Sequence, residues 1–351
     1  MFGVVVGEGR RRCRCAGRDV GRMGSVRLLC TTNGLPKGAA MTHEERQRMC
    51  SELGVAEEKV FLSIKELREW RTSRAMAESS VGFVPTMGAL HQGHISLLGS
   101  STAENQTTVA SIFVNPAQFA PHEDFGKYPR NARDDLANLF ENNADYVFLP
   151  TQDDMYPGSK FGQTSKAVTK THVVPDGIDF ISEGAARPGF FTGVATVVCK
   201  LLNIVQPTNA YFGQKDGLQV IVIRRMVRDL NIPTRIVPCE TIREDDGLAM
   251  SSRNIYLSKE QRKVAPRLYE TLKLVKSAYE QGERDYARLI DLGNRNLEME
   301  PLFQTEYLSI CNSLEGEECR AVIPEENVMV SAAVNFGDCR ILDNVLMGKQ
   351  T

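Results

Sequence analysis

The chain has no apolar run long enough to cross a bilayer. Its longest runs, such as Val194-Ala195-Thr196-Val197-Val198-Cys199, stop far short of the roughly 20 residues that a spanning helix needs. It has no excess of one charge either, because 42 Lys and Arg stand against 44 Asp and Glu, a formal net charge of −2. No broad field therefore draws it to nucleic acid or to an anionic membrane, and any anion it binds must be held by a local site. The nine cysteines are odd in number and scattered, with no Cys-x-x-Cys pair, which argues against a disulfide framework or a zinc ribbon and for a reducing compartment. Internal repeats and low-complexity tracts are absent, and so is the Gly-x-x-x-x-Gly-Lys-Ser/Thr phosphate loop. What remains is ordinary globular material: 351 residues, 42% apolar and 25% charged, enough for about two domains and for burying about 75% of the unfolded surface.

Residues 1–40 stand apart, with seven arginines and one lysine against only Glu8 and Asp19. Residues 1–60 are read as an N-terminal extension, disordered or targeting; an Arg-rich, acid-poor start keeps organelle import open beside a cytoplasmic location. Ser63, with Glu66 three residues on, forms a capping box that opens a helix. Short β-rich runs then alternate with amphipathic stretches. Val81-Gly82-Phe83-Val84-Pro85, Tyr146-Val147-Phe148-Leu149, Ala210-Tyr211-Phe212 and Arg235-Ile236-Val237, together with residues 108–114, read as buried strands, and residues 133–141, 194–205 and 218–230 as helices between them. This predicts a doubly wound parallel α/β sheet, Rossmann-like, over residues 61–241, whose ligands sit at the strand carboxyl ends. Residues 242–351 read as a smaller C-terminal α+β domain, with helices over 260–280 and 285–297.

Three stretches carry chemistry. Met87-Gly88-Ala89-Leu90-His91-Gln92-Gly93-His94 follows a strand with a glycine turn and puts two histidines, three residues apart, at a helix start. Glycine admits a phosphate to the backbone, and the helix N-terminus offers free N–H groups and the positive end of its dipole. A pair of satisfied structural histidines, or a metal pair, fits the same residues. Gly213-Gln214-Lys215-Asp216 ends another strand and places a lysine where a phosphate would lie, although a solvated turn looks the same. Met250-Ser251-Ser252-Arg253 brings two hydroxyls beside a guanidinium, a set suited to a polyphosphate, though also to a loop or helix cap.

In this order the motifs resemble the nucleotidyltransferase superfamily that includes class I aminoacyl-tRNA synthetases. More closely, Pro85 to His94, Asn115-Pro116-Ala117-Gln118-Phe119, Tyr128-Pro129-Arg130, Gly213 to Asp216, Met250 to Asn254 and Arg340-Ile341-Leu342-Asp343-Asn344 resemble the pantothenate synthetases, the pantoate–β-alanine ligases. The resemblance implies that ATP and pantoate give pantoyl adenylate and pyrophosphate, and that β-alanine then gives pantothenate and AMP. It implies Mg2+, a homodimer, and no nucleic-acid or membrane partner. It implies His94 as the catalytic, proton-donating histidine, with His91 and Lys215 on the phosphates. It implies an ATP site of Met87, Gly88, Ala89, Leu90, His91, Gln92, Gly93, His94, Gly213, Gln214, Lys215, Asp216, Ile242, Met250, Ser251, Ser252 and Arg253. Gln118 and Gln219 would bind pantoate, with Gln118 also near β-alanine, Asp134 would help hold the metal, and Asn115 and Arg187 stand second in rank. The chemistry suits the set, since charge building on phosphorus and pyrophosphate calls for fixed cations and donors such as His91, His94, Lys215 and Arg253. Phe190-Phe191-Thr192 departs from the pattern usual after Arg187, and residues 1–60 have no counterpart in it.

Overall fold

The computed structural model describes residues 41–73, 79–120, 123–159, 170–337 and 339–351. The Arg-rich start, with the targeting question attached to it, lies outside the described residues. The described chain opens with helix α1 (His43–Leu53), strand β1 (Val60–Phe61) and helix α2 (Ile64–Thr72). Then come β2 (Val81–Thr86), α3 (Gln92–Glu104), β3 (Thr107–Ile112), α4 (Ala132–Glu141), β4 (Tyr146–Phe148), and the short α5 (Gln152–Met155) and α6 (Ser182–Ala186). Finally α7 (Phe190–Val205), β5 (Asn209–Gly213), α8 (Gly217–Asp229) and β6 (Arg235–Cys239) complete the α/β part. The Ser63 box forms as expected, with Glu66 N–H donating to Ser63 Oγ and the Glu66 carboxylate accepting from Ser63 N–H.

The six strands make one parallel sheet in the order β1-β4-β3-β2-β5-β6. From β2 the chain steps outward to β3 and β4, then returns to add β5 and β6 on the other side of β2. The direction of winding thus reverses between β2 and β5, where open α/β sheets leave a ligand crevice. Along β2, Val81 and Phe83 pack with residues of α7 and α8, while Val84 packs with Leu97 and Leu98 of α3 and Leu136 of α4. Burial on both faces explains why these strands read as continuous apolar runs. The body also reaches further back than residue 61, because Cys50 of α1 shares a buried cluster with Val60, Leu97 and Leu136.

The C-terminal part holds α9 (Lys259–Val264), α10 (Arg267–Glu280), α11 (Tyr286–Glu298) and a three-stranded antiparallel sheet of β7 (Gln304–Asn312), β8 (Val328–Phe336) and β9 (Cys339–Met347). The single helix expected over 260–280 is two, because Pro266 lacks an N–H for the helical ladder and opens a new helix at Arg267. One face of β8, carrying Val328, Val330, Ala332 and Val334, packs with Leu272 and Val275 of α10 and Leu289 and Leu297 of α11. The other face belongs with the α/β part: Met329 joins its core, and Arg340 and Asn344 on β9 hydrogen-bond to residues before α7 and after β5. Among the described residues no helix is long and apolar enough to cross a membrane.

Candidate active site

β2 and β5 are neighbours in the sheet, so the loops leaving their carboxyl ends face one another. Between these loops and the C-terminal sheet lies a cleft of about 1040 Å³, at the upper end of the roughly 300–1,000 Å³ usual for small-molecule sites. After β2 the backbone turns through Gly88 (φ 80°) and Ala89 (φ 51°), both left-handed. The turn is held from α4, where the buried Asp135 carboxylate accepts the Ala89 and Leu90 N–H groups at 2.9 Å each. Burial pushes the Asp135 carboxyl up despite those two donors.

The turn delivers His91 to the N-cap of α3. Its Nδ1 accepts from Gly93 N–H at 3.1 Å, while His94 Nδ1 accepts from His91 N–H at 3.3 Å, a capping box made of two imidazoles whose centroids are 4.1 Å apart. With both Nδ1 atoms accepting, the ring proton of each neutral histidine sits on Nε2. Burial, reinforced by Lys215, lowers His91 to about 4, and burial, reinforced by His91, lowers His94 to about 3. The two histidines are therefore neutral donors near pH 7, which leaves Lys215 and Arg253 as the cations of the expected set.

After β5 a single 3-10 turn, Gln214–Asp216, leads into α8, whose N-terminus has no side-chain cap. Asn344 on β9 fixes this turn by donating to the Gln214 and Lys215 carbonyls at 2.8 Å each and accepting from Gln214 Nε2 at 3.1 Å. Gly217 is required there, since a Cβ would stand 2.4 Å from Met329 Sδ. Lys215 points its ammonium to Asp216 at 3.3 Å.

On the C-terminal side, Met250 N–H bonds the Ile242 carbonyl at 3.0 Å, closing a narrow loop over the cleft. Ser251 Oγ caps the turn at Arg253 N–H, and Arg253 grips Asp124 through two bonds of 2.9 and 3.1 Å. Burial works against its charge, yet the Asp124 bonds outweigh it and hold the guanidinium above its ordinary range. Tyr128 Oη lies 3.2 Å from Ser252 Oγ, tying the same two segments together.

Gln118 ends a turn after β3, where Asn115 Nδ2 donates to Gln118 Oε1 at 3.0 Å. Asn115 is itself buried and accepts from Tyr156 Oη at 2.7 Å, so it orients Gln118 from below. Arg187 holds the Gln118 carbonyl at 3.1 Å, pairs bidentately with Glu123 and stacks over the Phe190 ring at 3.8 Å. Phe190, in the stretch that departs from the familiar pattern, thus acts as the platform for Arg187. Glu183, 4% exposed, joins Arg187 to Arg340 of β9; burial alone would raise its carboxyl, but the two arginines hold it low.

Of the residues singled out by sequence, Met87, His91, Gly93, His94, Gln118, Gly213, Lys215, Asp216, Gln219, Ile242 and all four of Met250, Ser251, Ser252 and Arg253 line the cleft, as do Asn115 and Arg187. Gly88, Ala89 and Leu90 instead build the turn behind it, Gln92 is exposed, and the Gln214 side chain is spent on Asn344. Asp134 lies on the exposed side of α4 beside Asn131 and does not line the cleft. Its neighbour Asp135 faces inward, and the spacing with buried Leu136 and Leu139 on one helical face was the signal that separates the two. Among the described residues no group of three or more His, Cys, Asp or Glu is arranged to hold a metal. The lining carboxylates Glu123, Asp124, Glu183, Glu306 and Asp343 are each paired with an arginine. Asp216 is paired with Lys215 instead, and Glu240, which also lines the cleft, has no ion pair among the described residues.

A doubly wound sheet with paired histidines, a lysine and a Ser-Ser-Arg loop around its switch-point cleft defines a nucleotidyltransferase-like α/β enzyme. The sequence profile of the family described as Pantoate-beta-alanine ligase matches residues 59–346. The chain belongs to that family, the ATP-dependent ligases of pantoate and β-alanine. It is 48% identical over 284 residues to the pantothenate synthetase of Chloroflexus aggregans, covering 81% of this chain and 99% of the relative. To that of Staphylococcus epidermidis it is 42% identical over 294 residues, covering 83% and 98%. The crystal structure of pantothenate synthetase from Thermus thermophilus superposes with a TM-score of 0.73 at 41% identity, covering 82% of this chain and 98% of that one. The Francisella tularensis pantoate-beta-alanine ligase, solved with beta-gamma ATP and beta-alanine, gives a TM-score of 0.64 at 33% identity, covering 82% and 97%.

Proposed function

We propose that this cleft activates pantoate as pantoyl adenylate and then passes the acyl group to β-alanine. A pantoate carboxylate oxygen attacks the α-phosphorus of ATP, the bond to the β-phosphate oxygen breaks and pyrophosphate leaves. The β-alanine amine then attacks the acyl carbon, AMP leaves, and the amine proton goes to solvent. The observation that carries this reading is the convergence of two Nε2–H imidazoles and Lys215 from the carboxyl ends of adjacent strands. His94 and His91 donate hydrogen bonds to phosphate oxygens as charge builds, and Lys215 supplies the cation. The uncapped N-terminus of α8 adds backbone donors. Gln118 and Gln219 orient pantoate without an ion pair that would hold its carboxylate back.

Magnesium typically keeps only one or two protein carboxylates and takes its other ligands from substrate phosphates and water. Asp216 and Glu240 line the cleft and suit that demand, whereas Asp134 stands outside the lining. When bound, the metal would neutralise phosphate charge. Residues 242–351 act as a lid in this proposal, with Arg253–Asp124 and Arg340–Glu183 as its latches on the α/β part. A cytoplasmic homodimer completes the reading: family resemblance supports the dimer, and the described cysteines, all unpaired, suit a reducing compartment. The test is the nucleotide product from ATP, magnesium and pantoate with and without β-alanine. Multiple-turnover AMP and pyrophosphate only with both substrates supports the proposal, and their absence from folded protein overturns it.

A further inference from the structure

We infer that Asp135 is a positioning residue for the histidine pair: its carboxylate clamps the turn after β2 and thereby sets where His91 and His94 present their Nε2–H groups. This rests on the roles proposed for those histidines. The turn it holds is one that the chain does not adopt readily. Gly88 and Ala89 both have positive φ, and for alanine that conformation is disfavoured by its Cβ. Two hydrogen bonds of 2.9 Å accepted by a single carboxylate offset that preference, and their donors are the Ala89 and Leu90 N–H groups, immediately before the His91 cap.

Several neighbours fix the clamp rather than allow it to drift. Thr86 Oγ1 accepts Gly88 N–H at 3.2 Å and donates to the Ser111 carbonyl at 2.7 Å, anchoring the turn to β3. A Cβ at Gly88 would stand 2.7 Å from Asp135 Oδ2, so the glycine leaves room for the carboxylate as well as for the φ angle. Asp135 does not line the cleft, so it acts only through what it holds. Asparagine in its place keeps the shape but offers one acceptor where two backbone donors converge, and its amide N–H groups face the other. The turn must then rotate, carrying both imidazoles with it.

The experiment measures single-turnover adenylate formation, per folded site, for the wild type, Asp135→Asn, His94→Ala and the double variant. Misplacement of reacting groups by about 1 Å lowers rates by about a hundredfold, so Asp135→Asn is expected to lose that order in kcat with the KM for ATP changed less than about threefold. If Asp135 acts through the histidines, adding Asp135→Asn to His94→Ala costs only the part carried by His91, well short of the factor that Asp135→Asn costs in the wild type. Multiplying losses, or a kcat for Asp135→Asn within about twofold of the wild type while His94→Ala collapses, would overturn the inference and leave the proposed function standing. A near-normal His94→Ala would instead overturn the proposed function. Should Asp135→Asn not fold, Gly88→Ala, which pushes the clamp from the other side, carries the same cycle with the same outcomes. Imidazole nitrogen resonances give a second readout: with Asp135→Asn the signals of the unprotonated Nδ1 atoms of His91 and His94, each accepting a backbone N–H, should shift from their wild-type positions, and unchanged signals would count against the clamp.

Discussion

The two walls of the cleft handle charge in opposite ways. The wall built on β2 is neutral, since His91 and His94 cap each other and burial keeps both unprotonated. The opposite wall is charged but compensated, since Arg253 is gripped by Asp124, and Arg187 by Glu123 and Glu183. Lys215, between them, is paired with the partly exposed Asp216 at 3.3 Å. Neither wall therefore attracts anions by unpaired charge alone. Donors on one side are ready without counter-ions to displace, and the arginines on the other are held in place before substrate arrives, which is the preorganisation that transition-state stabilisation requires.

The largest losses are expected at the neutral wall and the lysine. His94→Ala and Lys215→Ala should each lower adenylate formation about a hundredfold to a thousandfold, the usual loss for one preorganised donor, while circular dichroism stays native. Near-normal turnover in either would place the chemistry elsewhere.

A smaller effect probes the charged wall. Arg253→Lys keeps the charge but not the fork that meets both Asp124 oxygens. It should lower kcat/KM for ATP about tenfold, the order of one charge-assisted hydrogen bond. Because the same pair is proposed to latch the lid, Asp124→Asn should make the segment around residues 240–258 more sensitive to protease without nucleotide and restore protection with ATP, magnesium and pantoate. Identical cleavage in all states would remove the latch.

Much of this was legible in the chain because the relevant signals are local. Strand runs such as Val81-Gly82-Phe83-Val84 and the Ser63 box depend on neighbours in sequence, and the histidine, lysine and Ser-Ser-Arg motifs fall around one cleft because each follows a strand end or a sheet-side loop. What escaped depends on contacts across the fold. Asp124 and Glu123 look like surface acids until Arg253 and Arg187 arrive from residues far along the chain. The neutrality of His91 and His94 follows from burial, which no motif encodes. Asp134 and Asp135 differ by one position, and only the helical face that carries Leu136 and Leu139 tells which one turns inward.

The smallest expected effect tests that neutrality through stability. An unfolded histidine titrates near about 6.5, whereas in the fold His91 titrates at about 4 and His94 at about 3. Between these values the unfolded chain binds protons that the folded chain refuses, so stability should be full above about pH 6.5 and fall as the pH drops toward about 4. His94→Gln removes one such group, and its Tm should decline a few degrees less than the wild type's between about pH 7 and pH 5, given about 2 to 4 °C per kcal/mol for a chain of this order. Phosphates beside the imidazoles favour their protonated form. With saturating ATP the wild-type slope should therefore flatten, and by linkage nucleotide affinity should rise on mild acidification over and above the protonation of ATP itself. Equal slopes in wild type and variant, with or without nucleotide, would mean that the histidines are not held neutral, and the contrast between the walls would be lost.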